Sequence, residues 1–264
     1  MEYFEYILYG LIQGFTEFIP VSSTAHLKVV SLLLGINDPG SSLSAVIQLG
    51  SVFAIFWYFK TDILKNKKGN KLFYYLSNKK LIRSVLIGTI PIILLGGCIK
   101  IFFPIFFYSN LRSNLSIALF SFSISFYMYL ADRSKKSFIT IENHKNTDSL
   151  LIGFSQAFAI FPGVSRSGVT ISTALLSGWE KKDAIKFSFL LGLPSICIAA
   201  IVELFASLNN LFLLSFFPLI AGLVSAFFSS LLAIDFLLKY LPLNGMKLFI
   251  YYRIIFGIVI LLNM

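Results

Sequence analysis

Residues 10–26 of the chain read GLIQGFTEFIPVSSTAH. This stretch places an amide, a carboxylate, an imidazole and several hydroxyls inside a sequence that is otherwise strongly apolar. The side chains are Gln13, Thr16, Glu17, Ser22, Ser23, Thr24 and His26. A second stretch, residues 153–170, reads GFSQAFAIFPGVSRSGVT and repeats the glycine, glutamine, phenylalanine and proline of the first, with one residue skipped before the proline. A serine-rich run follows the proline in both stretches, so the chain is predicted to contain two related halves.

The composition is typical of a membrane protein. Of the 264 residues, 57% are hydrophobic and 13% are charged, and the mean hydropathy is +0.83, whereas soluble proteins carry about 25% charged residues. We therefore predict an all-α, polytopic integral membrane protein. The net charge of +10 does not indicate nucleic acid binding, because the basic residues cluster between apolar segments. About six transmembrane helices are predicted, at 43–59, 84–104, 113–131, 184–206, 215–238 and 247–263.

The distribution of basic residues predicts which loops lie on which face of the bilayer. Eight lie in 60–83, four in 132–148, three in 181–186 and three in 239–253, which makes 18 of the 22 Lys and Arg residues. All 18 fall on one face of the membrane only if residues 150–179 enter and leave by that face. This segment is therefore predicted to be a re-entrant helix–loop–helix.

Residues 3–35 are predicted to form the other re-entrant pair, because Pro20 and the polar run after it break the helix. This pair would enter from the opposite face, which gives an inverted-topology repeat with two broken helices that meet near the midplane. The single membrane domain, residues 1–264, is divided into a first repeat at about 1–131 and a second at about 149–264.

Ionisable groups inside a membrane segment are costly and point to function. Gln13 and Glu17 lie four residues apart, hence on one face of a helix. The structural alternative is a hydrogen-bonded carboxylate for Glu17 and polar contact between helices for Gln13. The hydroxyls of residues 22–24 follow Pro20 at a predicted helix start, where one of them would cap the helix. The backbone N–H groups there would also receive a phosphate.

The other candidate groups carry a proton or a positive charge. His26 lies beside the hydroxyls, and we predict that it acts as a general acid or base. Arg166, in PGVSRSG, is predicted to bind phosphate together with Ser165 and Ser167, the alternative being a salt bridge to Glu17. Gln48, in VIQLG, is assigned either to polar packing or to substrate binding.

A carboxylate, a hydroxyl, an imidazole and an arginine in one wet pocket suit phosphoryl chemistry. An arginine and a divalent cation would neutralise charge on the transferring group. Such a cation requires oxygen ligands, which Glu17 and Gln13 can provide.

The Gln13-x-x-x-Glu17 pair followed by PVSSTAH, together with PGVSRSGVT, resembles the bacterial undecaprenyl-diphosphatase family of the bacitracin-resistance type. The resemblance covers nearly the whole chain. It implies removal of the terminal phosphate from undecaprenyl diphosphate, a polyprenyl diphosphate lipid, which recycles the cell-wall lipid carrier and confers bacitracin resistance. It also implies a requirement for Mg²⁺ or Ca²⁺, and a multi-pass protein of the bacterial inner (plasma) membrane whose active site faces outward. A homodimer is compatible with this.

Carried onto this sequence, the resemblance implies catalytic roles for Glu17, Ser23, His26 and Arg166. Metal binding would fall to Glu17 and Gln13. Either Ser23 or a water molecule would attack the terminal phosphorus while His26 moves the proton. Position 13 holds glutamine, the neutral option of the motif, which would shift metal binding toward Glu17. Substrate contacts are predicted for Ser22, Thr24, Ser165, Ser167 and Gln48.

Three other functions were considered. A lipid carrier would share the inverted repeats and the arginine, but it would not need a hydroxyl, an imidazole and a carboxylate at one phosphorus. A non-catalytic assembly partner does not explain why ionisable groups concentrate in the two repeated stretches. A metal-independent membrane phosphatase with a phosphohistidine would need a Lys-(x)6-Arg-Pro run, which the sequence lacks.

Overall fold

The computed structural model describes residues 2–35, 40–64, 78–102, 113–135, 137–206 and 215–262. These ranges contain ten α-helices and one short 3-10 turn, Phe158–Ile160. In chain order the helices are α1 (Glu2–Phe18), α2 (Ser23–Leu34), α3 (Gly40–Leu64), α4 (Lys79–Phe102), α5 (Asn114–Asp132), α6 (Asn146–Ala157), α7 (Arg166–Leu176), α8 (Lys181–Ala206), α9 (Phe216–Asn244) and α10 (Lys247–Leu262).

The prediction of an all-α, polytopic membrane protein is confirmed. A helix lies at each of the six predicted spans, namely α3, α4, α5, α8, α9 and α10. Four of them (α4, α5, α8 and α9) are long and apolar enough to cross a bilayer. Large apolar side chains such as Leu94, Phe126 and Leu232 are more than half exposed on these four, as expected of surfaces that face lipid. Residues 65–77 and Lys136, which carry part of the predicted loop charge, lie outside the described residues.

Both serine-rich stretches form a helix–turn–helix. In the first, α1 ends at Phe18 and α2 begins at Ser23; in the second, the turn after α6 leads into α7. The turns follow from sequence, because Pro20 and Pro162 disfavour a helical conformation in the residue before them. The membrane face from which each pair enters remains a prediction, as does the division into repeats at about 1–131 and 149–264.

The two predicted halves pack against each other through their helices. Broken helix α1 packs along α9, and broken helix α6 packs along α4. Between these pairs, α3 packs on α8 and α5 packs on α10. Each broken helix therefore lies against a long helix of the other half.

Glycines allow the broken helices to approach so closely. A Cβ added at Gly14 would overlap the carbonyl oxygen of Ala226 on α9, and one at Gly153 would overlap the carbonyl oxygen of Gly88 on α4. Small residues permit tight packing between membrane helices, and here the surfaces they contact are α9 and α4. At the end of α1, the Phe18 ring packs edge-on against Phe189 of α8 at 5.3 Å between centroids. This contact places the last turn of α1, with Glu17, in the centre of the bundle.

Candidate active site

Glu17 joins the two repeated stretches. Its Oε2 accepts hydrogen bonds of 2.8 Å from Gln13 Nε2 and of 2.8 Å from Ser23 Oγ. Its Oε1 lies 3.6 Å from Arg166 Nη2, an ion-pair distance. Ser23 is the first residue of α2 and Arg166 is the first residue of α7, so two helix N-termini begin at one buried carboxylate. The structure thus brings together four predicted site residues from stretches more than 140 positions apart.

Two guanidinium nitrogens of Arg166 make no hydrogen bond. Its Nη1 donates to the carbonyl oxygen of Ser188 at 3.3 Å, while Nε and Nη2 are buried without a hydrogen-bond partner. A buried guanidinium with two open donors is suited to an oxyanion, which it can bind through two parallel hydrogen bonds. The salt bridge to Glu17 and the phosphate-binding role are therefore compatible.

The space that Arg166 occupies depends on a glycine of α8. A Cβ added at Gly192 would overlap the Arg166 guanidinium. Gly192 lies in the middle of an apolar run, and nothing in the sequence marked it as part of the site.

We expect Gly192→Ala to lower activity roughly 100-fold, since displacement of a positioning group by about 1 Å has an effect of that size. The added methyl must push the guanidinium away from Glu17. Steady-state phosphate release by the purified variant measures the loss. Gly97→Ala on α4 is the matched control, because a Cβ there meets no atom within 4 Å. Equal activities of the two variants would contradict the expectation.

The hydroxyls of the second turn are engaged in its local structure. Ser165 caps α7 by accepting the N–H of Gly168 at 3.2 Å, and its hydroxyl lies 3.2 Å from that of Ser167. Ser167 in turn donates to the carbonyl oxygen of Ile19 at 3.3 Å, which ties the second turn to the first. These two serines hold the turns together and leave their backbone N–H groups at the site.

One of residues 22–24 was predicted to cap α2, and Ser22 does not. It occupies the N-cap position of α2, yet its hydroxyl makes no capping hydrogen bond. The reason is its backbone, which has φ 82° and ψ 98° instead of the extended form usual at an N-cap. A positive φ is strained for a serine. Its hydroxyl lies 3.4 Å from Thr24 Oγ1 instead.

The hydrogen bonds of the His26 ring go to groups other than Glu17 and Ser23. Its Nδ1 lies 2.7 Å from the carbonyl oxygen of Ser22, and its Nε2 lies 2.6 Å from the Tyr252 hydroxyl. The ring also stacks on Phe256 with 4.1 Å between centroids. A carbonyl oxygen only accepts, so Nδ1 carries the proton and Nε2 accepts from Tyr252 in the neutral ring. In this arrangement His26 braces the turn that presents Ser23.

Arg253 is the site residue that sequence reasoning missed. It was counted among the basic residues at one membrane face, but it is fully buried in α10. Its Nη2 donates to the carbonyl oxygens of Gly163 at 2.8 Å and Ser121 at 3.4 Å, and its Nη1 lies 3.5 Å from that of Pro20. One guanidinium thus contacts both broken turns. The signal was present, because an arginine inside the predicted span 247–263 is itself an ionisable group at membrane depth.

The remaining predicted residues lie outside this cluster or support it. Thr16 donates from Oγ1 to the carbonyl oxygen of Ile12 within α1. Gln48 is half-buried on α3 and makes none of the contacts described above.

The two glutamines that match between the repeats have different surroundings. Gln13 donates to Glu17, whereas Gln156 is fully buried and neither of its amide atoms has a hydrogen-bond partner. We expect Gln13→Leu to lower stability by about 1.5–3 kcal/mol, because it removes a hydrogen bond to a charged group. We expect Gln156→Leu to be neutral or stabilising, because it removes an unsatisfied buried amide. Thermal unfolding of both variants in detergent makes the comparison, and equal destabilisation would refute it.

The oxygen donors around Glu17 fit a hard cation. They are the Glu17 carboxylate and the Ser23 hydroxyl, which suit Mg²⁺ or Ca²⁺, whereas Gln13 turns its amide nitrogen toward Glu17 and would have to rotate to offer its oxygen. Among the described residues, no group of three or more His, Cys, Asp and Glu side chains comes together. A cation beside Glu17 would therefore complete its coordination with phosphate oxygens and water.

Fold and site together define a class: polytopic α-helical membrane proteins with a carboxylate–arginine pair and helix N-termini buried between two broken helices. The model of the family described as bacitracin resistance protein BacA matches residues 6–259. The chain belongs to this family.

Curated relatives are similar over their whole length. A protein of Prochlorococcus marinus strain AS9601 is 67% identical over 100% of this chain and 97% of its own. One of strain MIT 9301 is 66% identical over 100% of both chains. A more distant one, of strain MIT 9303, is 44% identical over 97% of this chain and 89% of its own. All three carry the name undecaprenyl-diphosphatase.

Proposed function

We propose that this enzyme hydrolyses undecaprenyl diphosphate to undecaprenyl phosphate and inorganic phosphate. The observation that carries the proposal is the Glu17 carboxylate, hydrogen-bonded to the Ser23 hydroxyl and paired with Arg166 at the start of two helices. The names of the full-length relatives support the same reaction. Recycling of the cell-wall lipid carrier, and through it resistance to bacitracin, would follow from this activity at the outer face of the plasma membrane.

Arg166 binds the diphosphate in this proposal. Its Nε and Nη2 make no hydrogen bond, with Nη2 beside the Glu17 carboxylate, and the first N–H groups of α2 and α7 add donors and the positive ends of two helix dipoles. Charge that develops on the phosphoryl oxygens then meets groups that are already in place, which is the largest source of rate enhancement in such sites.

Glu17 receives the proton. The Ser23 hydroxyl already donates to its Oε2 at 2.8 Å, within the range required of a general base. In the covalent route, Ser23 Oγ forms a bond to the terminal phosphorus, the bridging P–O bond breaks, and undecaprenyl phosphate leaves. Water then cleaves the phosphoserine, and the proton returns from Glu17 to Oγ. In the direct route, Ser23 and Glu17 hold the attacking water.

His26 positions the turn, in place of the proton transfer first assigned to it. Both ring nitrogens are occupied by the Ser22 carbonyl and the Tyr252 hydroxyl. A divalent cation held by Glu17 and Gln13 would neutralise negative charge on the diphosphate.

The decisive experiment measures phosphate release from undecaprenyl diphosphate by the purified protein in detergent, first with Mg²⁺ and then with a chelator. We expect release that depends on the metal. No release by well-folded protein, combined with lipid translocation in liposomes, would establish the carrier function instead. Ser23→Ala tests the covalent route, which does not survive if this variant retains most of the activity.

A further inference from the structure

A basic cavity lies at the start of α4, outside the active site. It has a volume of about 520 Å³ and is lined by the four cations Lys79, Lys80, Arg83 and Lys145 and by Asn143, His144 and Asn146. Among the residues that the structure describes, no carboxylate belongs to this lining. Helix α4 begins at Lys79 and helix α6 begins at Asn146, so two helix N-termini border the cavity and add to its positive potential.

Hydrogen bonds hold His144 and Lys80, which line the cavity, in place. His144 is buried, with Nδ1 at 2.6 Å from the carbonyl oxygen of Ile141 and Nε2 at 2.8 Å from Ser84 Oγ. Lys80 donates to the carbonyl oxygen of Glu142 at 2.8 Å, which ties the 140–146 turn to α4. Lys79 and Arg83 have exposed side chains at the mouth.

One apolar cavity continues from the basic cavity along α4 and α8, and a second apolar cavity adjoins the first. The first, about 520 Å³, shares Lys79 and Arg83 with the basic cavity and extends along Ile90 and Ile93 to Ile198 of α8. The second, about 220 Å³, lies on the side of α3 and is lined by side chains such as Phe59 and Leu190. Ile82, Leu86 and Pro194 border both apolar cavities. The basic cavity is therefore continuous with the first apolar groove, which in turn borders the second.

We propose that this surface is a binding site for a diacyl glycerophospholipid with an anionic headgroup. The phosphate would lie among Lys79, Arg83 and Lys145, and the two acyl chains would lie in the two grooves beside Ile82 and Leu86. Charge complementarity selects the headgroup, and the pair of grooves selects two chains over one.

The bound lipid would pack against the face of α8 that is turned away from the active site. Leu190, Leu193 and Pro194 line the grooves, while Ser188 and Gly192 of the same helix contact or border Arg166. The lipid site and the active site thus lie on opposite faces of one helix.

The test measures the thermal unfolding midpoint and the binding of phosphatidylglycerol to the purified protein in a neutral detergent. Phosphatidylglycerol should raise the midpoint, whereas phosphatidylcholine and inorganic phosphate at the same concentration should not. We expect Lys79→Gln/Arg83→Gln to weaken phosphatidylglycerol binding about 25-fold, because each basic side chain near an anionic lipid contributes roughly a factor of five. Neither substitution touches the active site, so failure of this test leaves the phosphatase proposal unaffected.

Lys181→Gln/Lys182→Gln is the matched control, because these lysines line a separate cavity with Glu180 and border neither apolar groove. Its binding should remain at the wild-type level. Equal weakening by both double variants would show attraction to net charge alone and overturn the proposal. Protection by phosphatidylcholine equal to that by phosphatidylglycerol, or protection by inorganic phosphate, would also overturn it.

Discussion

Glu17→Gln is expected to lower phosphate release by roughly 10²- to 10⁴-fold, the range attributed to a general base. Glutamine has the same shape as glutamate and can still accept one hydrogen bond from Ser23, but it cannot take the hydroxyl proton. It also removes the negative partner 3.6 Å from Arg166 Nη2. The effect should fall on kcat, because the free donors of Arg166 remain available to bind the diphosphate.

Asp235→Asn is the control for this loss of a carboxylate. Asp235 lies on α9, half-buried, in a pair with Lys239 at 2.6 Å, and such a pair contributes at most about 0.5 kcal/mol within a helix. Asp235 also accepts from the Tyr58 hydroxyl at 3.4 Å, and asparagine can still accept that hydrogen bond. This control should keep wild-type activity and stability. Activity of Glu17→Gln within tenfold of wild type would exclude Glu17 as the base.

Arg253→Met is expected to reduce both stability and activity, the latter more than 100-fold. Methionine fills part of the volume but leaves the carbonyl oxygens of Gly163 and Pro20 without their donor, while that of Ser121 keeps the Ser125 hydroxyl. Each buried polar group that loses its partner costs about 1–3 kcal/mol. The two turns that lead to Ser23 and Arg166 would then lose a side chain that contacts both of them.

Arg253→Lys should lie between wild type and Arg253→Met, since one ammonium group cannot span carbonyls of both turns as the planar guanidinium does. Arg133→Met is the matched control, because Arg133 is exposed at the end of α5 over the Tyr129 ring. Thermal unfolding and phosphate release are measured on all three variants. If Arg253→Met behaves like Arg133→Met, Arg253 has no role in holding the turns.

Most of the helices could be predicted because their signals are local. Apolar runs of sufficient length marked each of the six spans, and a proline with a polar run marked each broken turn. The predicted span 247–263 coincides with α10, yet the same prediction placed Arg253 at a loop. Charge counting treats every basic residue near a loop alike, whereas burial depends on which carbonyl groups surround the side chain.

The candidate site shows the same division. The sequence marked Gln13, Glu17, Ser23 and Arg166 as unusual for a membrane segment, and the structure brings all four together. Their pairing could not be derived from spacing, because it requires α1, α2 and α7 to converge. His26 lies near Glu17 in the sequence but points to Tyr252, since the turn at Ser22 directs α2 away.

The sequence by itself determined that this protein is a helical membrane protein with two polar, broken stretches, and which side chains those stretches carry. Hydropathy and proline placement are properties of neighbouring residues, so their consequences can be predicted without knowledge of the fold. Only the tertiary structure decided that Glu17 contacts Ser23 and Arg166, that Gly192 makes room for the guanidinium and that Arg253 joins the turns. Those contacts join helices far apart in the chain, and they depend on how packed helices approach each other within ångströms.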